Sequence, residues 1–523
     1  MPGWTGDNTL KTIIYYLWEI CMLTQRRSGI LLHPTSLPGQ QPIGSLGQEA
    51  YDFVDFLQAS GQAVWQLLPL GPIGYGNCPY SSFSAFAGNP LLINLSRLVE
   101  AGDLRQSDLS PIATATSSTD FNTATTLNLP KLQLAGENFK RRGTPIRQHA
   151  FDQFCHRQAG WLDDYALFMV LREECRKQPW QHWPPELSQR DSSALRDAEN
   201  RLQQELYQQK YQQFVFFEQW SALKHYANTK GIDMFGDLPI FVAEDSVEVW
   251  ANRELFYLDD KGRATLVAGV PPDYFSATGQ RWGNPLYRWE RMAEDNFIWW
   301  QNRFHWNLEL FDLLRVDHFR GFSACWAIPA NEETAENGDW MEAPGEQLFT
   351  LLQRQIGSLP IIAEDLGIIT PEVEQLRDRF SFPGMKILQF AFDSGADNPY
   401  LPENHLPNSV VYTGTHDNNT TLGWWNSLDE EGRQKVRDFL HNPCENMPWP
   451  LIETALASSA NLTIIPLQDI LALTESARMN IPGTATGNWQ WRFHAGDLTP
   501  AIQSSLKNLS QLYGRQLCNT TEM

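Results

Sequence analysis

Along the chain, short apolar runs alternate with stretches whose apolar positions recur at helical spacing. The runs are GILLHP (29–34), AVWQLLPL (63–70), DMFGDLPIFV (233–242), LLRVDHF (313–319), LPIIAEDLG (359–367), MKILQFAF (385–392), VVYTGTHD (410–417) and LTIIPLQDIL (462–471). Each reads as a strand. Between them, EAYDFVDFLQAS (49–60) places apolar residues on one helical face and ends before a glycine. RWERMAEDNFIWWQNRFHWNLELF (288–311) reads as one long amphipathic stretch. TPEVEQLRDRF (370–380) opens with Thr370 as N-cap and Pro371 at the first helical position. Eight strands alternating with helices predict an α/β protein, a parallel (β/α)8 TIM barrel with inserted, mostly helical subdomains. A doubly wound sheet is the alternative.

Two segments do not fit one barrel repeat. Residues 95–230 are too many for a single connection, so an insertion subdomain is expected there. Its first part, ATATSSTDFNTATTLNLP (113–130), is polar and turn-like, and 150–228 reads as several helices. At the N-terminus, IIYYLWEICML (13–23) is apolar, but Glu19 interrupts it and it is too short to span a bilayer. It lacks the flanks of a signal peptide. Residues 1–26 are expected to be a poorly ordered N-terminal extension, with 1–21 arising from an upstream start codon. The catalytic barrel is expected over 27–523, with a cleft-covering loop at about 269–285.

Composition narrows the class of partner. Hydrophobic residues make up 42% of the 523, enough for a large core. Net charge is 40 − 61 = −21, which argues against nucleic acid or an anionic membrane as partner and leaves neutral substrates open. The seven cysteines are scattered and form no CxxC pair. That pattern fits a reducing, cytoplasmic setting better than a disulfide framework or a zinc site. Oligomeric state is not legible.

The strand ends carry the chemistry. In such a barrel the working residues sit at the C-terminal ends of strands. Asp317 ends LLRVD, Glu364 ends LPIIAE, Asp417 ends VVYTGTHD and Asp237 sits in MFGDLP. A lone Asp after a strand is commonly an N-cap or turn former, and Asp365, turned away from Glu364 by strand alternation, fits that plainer role. Carboxylates on three strands, two with a neighbouring histidine, suit glycosidic bond chemistry. A retaining enzyme needs a nucleophile and an acid/base about 5–5.5 Å apart. Arg315 shares a strand face with Asp317 and is expected to keep it ionised. Neighbouring negative charge is expected to raise the Glu364 pKa. Asp417 is expected to stabilise an oxocarbenium-like centre or bind sugar hydroxyls, with His318 and His416 donating hydrogen bonds to those hydroxyls. Metal ligation is the competing role for the histidines, but no HxH or HExxH accompanies them.

Aromatic residues add a second clue. GYGNCPYSSFSAFAGNP (74–90) and GVPPDYFSATGQRWGNPLYRW (269–289) are turn-rich, and aromatic side chains are interleaved with amides. The second holds Tyr274, Phe275, Gln280, Trp282 and Asn284. Aromatic faces and amides suit pyranose rings, whose C–H faces are apolar and whose rims are hydroxylated. A structural lid or buried cap is the plainer reading.

RVDHFRG (315–321), AEDLG (363–367) and TGTHDNNT (413–420) resemble the nucleophile, acid/base and third-carboxylate motifs of the α-amylase clan. LLHPTSLPG (31–39), LPLGPIGYGNCPYSSFSAFAGNP (68–90), GDLPIFVAEDSVEVW (236–250), GVPPDYFSATGQRWGNP (269–285) and ARMNIPGTATGNWQWR (477–492) resemble the 4-α-glucanotransferases, or amylomaltases, of glycoside hydrolase family 77. The resemblance runs from about Arg27 to about Tyr513. It implies Asp317 as nucleophile, Glu364 as acid/base and Asp417 as transition-state stabiliser. It places Arg315, His318 and His416 at the sugar beside the cleaved bond. Tyr80, Gln280, Trp282 and Asn488 would line subsites, Tyr274 and Phe275 would sit in a loop over the cleft, and Asp237 would have a structural or binding role. It implies α-1,4-glucans as substrate and no metal or organic cofactor. Cys78 departs from the family's usual serine. An α-glucan hydrolase and a non-catalytic glucan-binding protein are the alternatives.

Overall fold

The computed structural model describes residues 25–109, 118–272, 276–441 and 443–515. The strands, in chain order, are β1 (Arg27–Leu31), β2 (Val64–Gln66), β3 (Asp233–Pro239), β4 (Leu266–Val270), β5 (Gln280–Pro285), β6 (Leu313–Asp317), β7 (Ala324–Pro329), β8 (Asp339–Glu342), β9 (Ile361–Ala363), β10 (Gly384–Ile387), β11 (Ser409–Tyr412) and β12 (Leu462–Pro466). Eight of them close a parallel barrel in the order β1-β2-β3-β6-β9-β10-β11-β12, with β12 returning to β1. The eight apolar runs of the sequence are these eight strands. The fold is a (β/α)8 barrel.

Strand alternation divides each run between two cores. Leu31, Val64, Phe235, Leu313, Ile362, Met385, Val410, Tyr412 and Ile464 fill the barrel interior. Their neighbours Ile30, Trp65, Met234, Leu314, Val316, Ile361, Ala363 and Ile465 pack outward against the helices. The inward set continues upward through Asp237, Arg315, Asp317 and Glu364, so the pattern that fills the barrel also aims these polar groups at its mouth. Gly236 falls in the outward set, where a β-carbon would collide with the Phe311 ring.

Several expectations are corrected. The stretch 288–311 is two helices, Trp289–Glu294 and Ile298–Leu310. Asn296 and Phe297 break it with φ of 61° and 59°, and the Phe297 side chain turns into the core. The turn-like reading of 113–130 fails from residue 121 onward, because Phe121–Arg142 is a helix. The Asp120 side chain caps it by accepting from the Thr123 amide at 2.9 Å. Burial of Phe121, Ala124, Leu132, Ala135 and Phe139 overrides its Thr- and Asn-rich start. Thr370 sits at its N-cap position, extended, but its hydroxyl makes no capping bond.

The loop expected at 269–285 has strands at both ends. β4 and β5 pair antiparallel and belong to a second, four-stranded sheet of order β5-β4-β7-β8. Periodicity did not reveal this sheet. Residues 1–24 lie outside the described part of the chain. Arg26, assigned to the extension, is bonded to the carbonyls of Ser458 at 2.6 Å and Leu456 at 3.0 Å.

Candidate active site

The site is built on neighbouring barrel strands. In the register of β3 and β6, Asp237 lies beside Arg315 and Pro239 beside Asp317. In the register of β6 and β9, Val316 lies beside Ala363. Asp317, the last residue of β6, and Glu364, the first after β9, therefore stand side by side at the same height. Neighbouring parallel strands are about 4.8 Å apart, the scale a retaining carboxylate pair needs.

Arg315 is the hub. Its side chain is buried, and one terminal nitrogen donates to both Asp237 oxygens, at 2.9 and 2.7 Å. The other donates to Asp317 Oδ1 at 2.7 Å. Tyr80 adds its hydroxyl to Asp237 Oδ2 at 2.6 Å. The Asp237 side chain is fully covered, whereas that of Asp317 is 28% exposed. One charge is thus sealed as an anchor and the other reaches the cleft. Burial pushes the Asp237 carboxyl up from its ordinary pKa, opposed by Arg315.

Glu364 is held differently. The His318 amide donates to its Oε2 at 2.7 Å and the Leu366 amide to its Oε1 at 3.0 Å. Its pKa is nevertheless raised to about 8. The largest cause is burial. Asp317 raises it further, while Arg315 and the two amides oppose. The sequence reading credited neighbouring charge, but loss of hydration does more. A carboxyl raised this far favours its protonated form at neutral pH.

His318 sits at φ 50°, in the left-handed region, directly after β6. That turn aims its amide at Glu364 and its ring at Trp282, edge-on with centroids 4.7 Å apart. Burial, aided by Arg320, lowers its pKa to about 3, so the ring is neutral. Its Nε2 is buried and finds no partner among the described residues.

Asp417 belongs to a second cluster, after β11. Asn480 Nδ2 donates to its Oδ1 at 2.7 Å, and Arg478 donates to its backbone carbonyl. His416 Nε2 stands 3.4 Å from Asp417 Oδ1. The His416 ring stacks on Tyr80, with centroids 5.1 Å apart and planes at 13°. Tyr80 thus joins the two clusters. Sequence reading gave no role to Asn480 or Arg478. They lie some sixty residues beyond Asp417, and no local pattern links them to it.

The remaining expected residues divide. Trp282 is 39% exposed at the mouth, and Gln280 accepts its indole N–H at 3.2 Å. Asn284 spends its amide on the Val242 carbonyl at 2.8 Å, and Asn488 spends its amide on the Thr484 carbonyl at 3.0 Å. Both brace loops with those groups. Tyr274 and Phe275 lie outside the described residues. Asp365 points outward and ties Arg377 to the Met385 amide, a structural role, though not the N-cap or turn expected of it. The described residues contain no group of three or more His, Cys, Asp or Glu arranged to hold a metal ion. No described helix is long and apolar enough to cross a membrane.

A closed parallel barrel with carboxylates gathered at its C-terminal rim defines a (β/α)8-barrel enzyme. The 4-alpha-glucanotransferase family profile matches residues 32–499. The chain is 49% identical to the 4-alpha-glucanotransferase of Synechocystis over 504 residues, covering 95% of this chain and all of that one. It is 50% identical to that of Thermus thermophilus over 494 residues, covering 93% and 98%. The amylomaltase of Streptococcus agalactiae, solved in complex with acarbose, superposes with a TM-score of 0.91 at 38% identity, covering 94% of this chain and 100% of that one. The chain belongs to glycoside hydrolase family 77, the 4-alpha-glucanotransferases.

Proposed function

We propose that the chain moves α-1,4-glucan segments from a donor to the 4-hydroxyl of an acceptor glucan or glucose, by retaining double displacement. The observation that carries this reading is the Asp317–Glu364 contrast. On adjacent strands, one carboxylate accepts a charge-assisted bond from Arg315, and the other is held neutral by burial. Retaining chemistry needs that pair of states.

In the first half-reaction, Asp317 attacks the anomeric carbon. The glycosidic bond breaks, and the Glu364 proton passes to the departing 4-oxygen. A covalent glycosyl-aspartate forms. In the second, the acceptor 4-hydroxyl gives its proton to Glu364 and attacks the same carbon, restoring the Asp317 carboxylate. Two inversions leave the α configuration. Asp417, oriented by Asn480, faces the charge that develops on the sugar. His318 Nε2, buried and without a partner among the described residues, is a hydrogen-bonding group for a sugar hydroxyl. Transfer outruns hydrolysis if the acceptor is held in place and water is kept out. The segment at 269–285, with Tyr274 and Phe275, is our candidate for the cover.

Maltotriose as sole substrate tests the reading. A transferase yields glucose together with maltodextrins longer than the substrate. Shorter sugars alone would mean a hydrolase.

A further inference from the structure

Arg320 is the residue of the RVDHFRG segment to which the reaction assigns no task. It lies in the short turn Phe319–Phe322 that follows His318, and it is buried. The guanidinium donates to the carbonyl of Ile368, four residues beyond Glu364. Its Cζ also stands over Trp340, 3.9 Å from the ring centroid. It thus braces a carbonyl of the Glu364 loop against an indole.

Trp340 is placed like a binding surface. It stands on the edge strand β8, and 43% of it is exposed. Arg320 fixes it on one side. Trp326 of β7 meets it at 63° with centroids 5.2 Å apart, and the Trp326 N–H is itself tied to the Ala335 carbonyl at 2.9 Å. Ile368, whose carbonyl Arg320 holds, is 52% exposed. A large aromatic surface is thus immobilised, open to solvent, and joined by one side chain to the loop that carries Glu364.

We propose that Trp340, with Ile368 beside it, is a stacking platform for a pyranose ring of the acceptor glucan beyond the ring that receives the transferred segment. Arg320 is the positioning residue that holds the platform to the Glu364 loop. The proposal rests on the reading of Glu364 as the group that serves the leaving and accepting oxygens, which places the acceptor chain on this side. The apolar C–H face of a pyranose matches an indole face. An indole already fixed loses little freedom on binding.

The experiment holds a maltosyl fluoride donor constant and measures transfer to labelled glucose, maltose, maltotetraose and maltoheptaose. In the wild type, KM falls as the acceptor lengthens. Trp340→Ala is expected to raise the maltoheptaose KM by roughly five- to tenfold, leave kcat within about twofold, and flatten the dependence on length. Trp340→Phe keeps an aromatic face and is expected to fall between; it also decides the matter if the alanine variant does not fold. Arg320→Gln is expected to flatten the dependence in the same direction. A Trp340 variant whose KM falls with acceptor length as steeply as the wild type overturns the platform. Failure of the wild type to transfer at all would overturn the underlying reading as well, so the two failures are distinct.

Discussion

Glu364→Gln isolates the proton that the mechanism needs. Raising the carboxyl from its ordinary 4.5 to about 8 biases it toward the protonated form by about 5 kcal/mol. Below pH 8 the group holds its proton. Wild-type activity on maltotriose should therefore fall along an alkaline limb centred near pH 8. Glutamine matches the neutral acid in shape but has no proton to give. Loss of a general acid costs about 10²–10⁴-fold, and glucose release from maltotriose reads that loss directly. A maltosyl fluoride donor needs no protonation to depart. The burst of fluoride that marks glycosylation of Asp317 should survive in the variant at nearly the wild-type rate. Stability moves in a predictable direction as well. The raised pKa gives the wild type a stability that is present at low pH and lost as pH climbs from 4.5 through 8. Glutamine removes that loss but turns an N–H toward the His318 or Leu366 amide, a cost of about 1–3 kcal/mol. The variant should melt below the wild type at pH 4, draw level near pH 6, where the wild type has lost about 2 kcal/mol, and melt above it at pH 9, where the loss of about 5 kcal/mol exceeds the cost of the amide. Equal damage to maltotriose and fluoride donors would refute the acid role of Glu364. So would an alkaline limb absent from the wild-type profile.

Other parts of the structure make separate commitments. Arg315→Ala strands Asp237 and Asp317 without their shared cation and should cost about 3–5 kcal/mol in urea unfolding; a loss under 1 kcal/mol would mean that the pairing is incidental. Phe304, fully buried against Phe322 and Phe349, should cost about 3–5 kcal/mol as alanine, with maltotriose transfer preserved at temperatures where the variant stays folded. Asp120→Ala removes the cap of the helix Phe121–Arg142 and should cost about 1 kcal/mol, visible as a small drop in urea midpoint with the slope unchanged.

The barrel was legible because its strands obey a local rule. LLRVD reads Leu313 in, Leu314 out, Arg315 in, Val316 out, Asp317 in, and no tertiary information is needed to place Arg315 and Asp317 on one face. The same alternation separated Glu364 from Asp365. What failed had no such period. The helix at 121–142 begins with Thr and Asn, weak helix formers, and it forms because its apolar face is buried. The break at Asn296–Phe297 hides inside an unbroken amphipathic pattern, because the left-handed backbone there is chosen by where the Phe297 ring packs. The edge strands β5 and β8 are largely exposed on both faces, so they lack an alternation to read.

The sequence by itself determined the barrel, the order of its strands, the carboxylates at their ends and the family. These follow from period-two alternation and from motifs contiguous in the chain. Only the tertiary structure decided what each charge experiences. It buried Glu364, which raises its pKa to about 8, gave Asp417 to Asn480 across sixty residues, and set Arg320 as the brace between the Glu364 loop and Trp340. Hydration and long-range contact set these outcomes, and neither is written in the local order of residues.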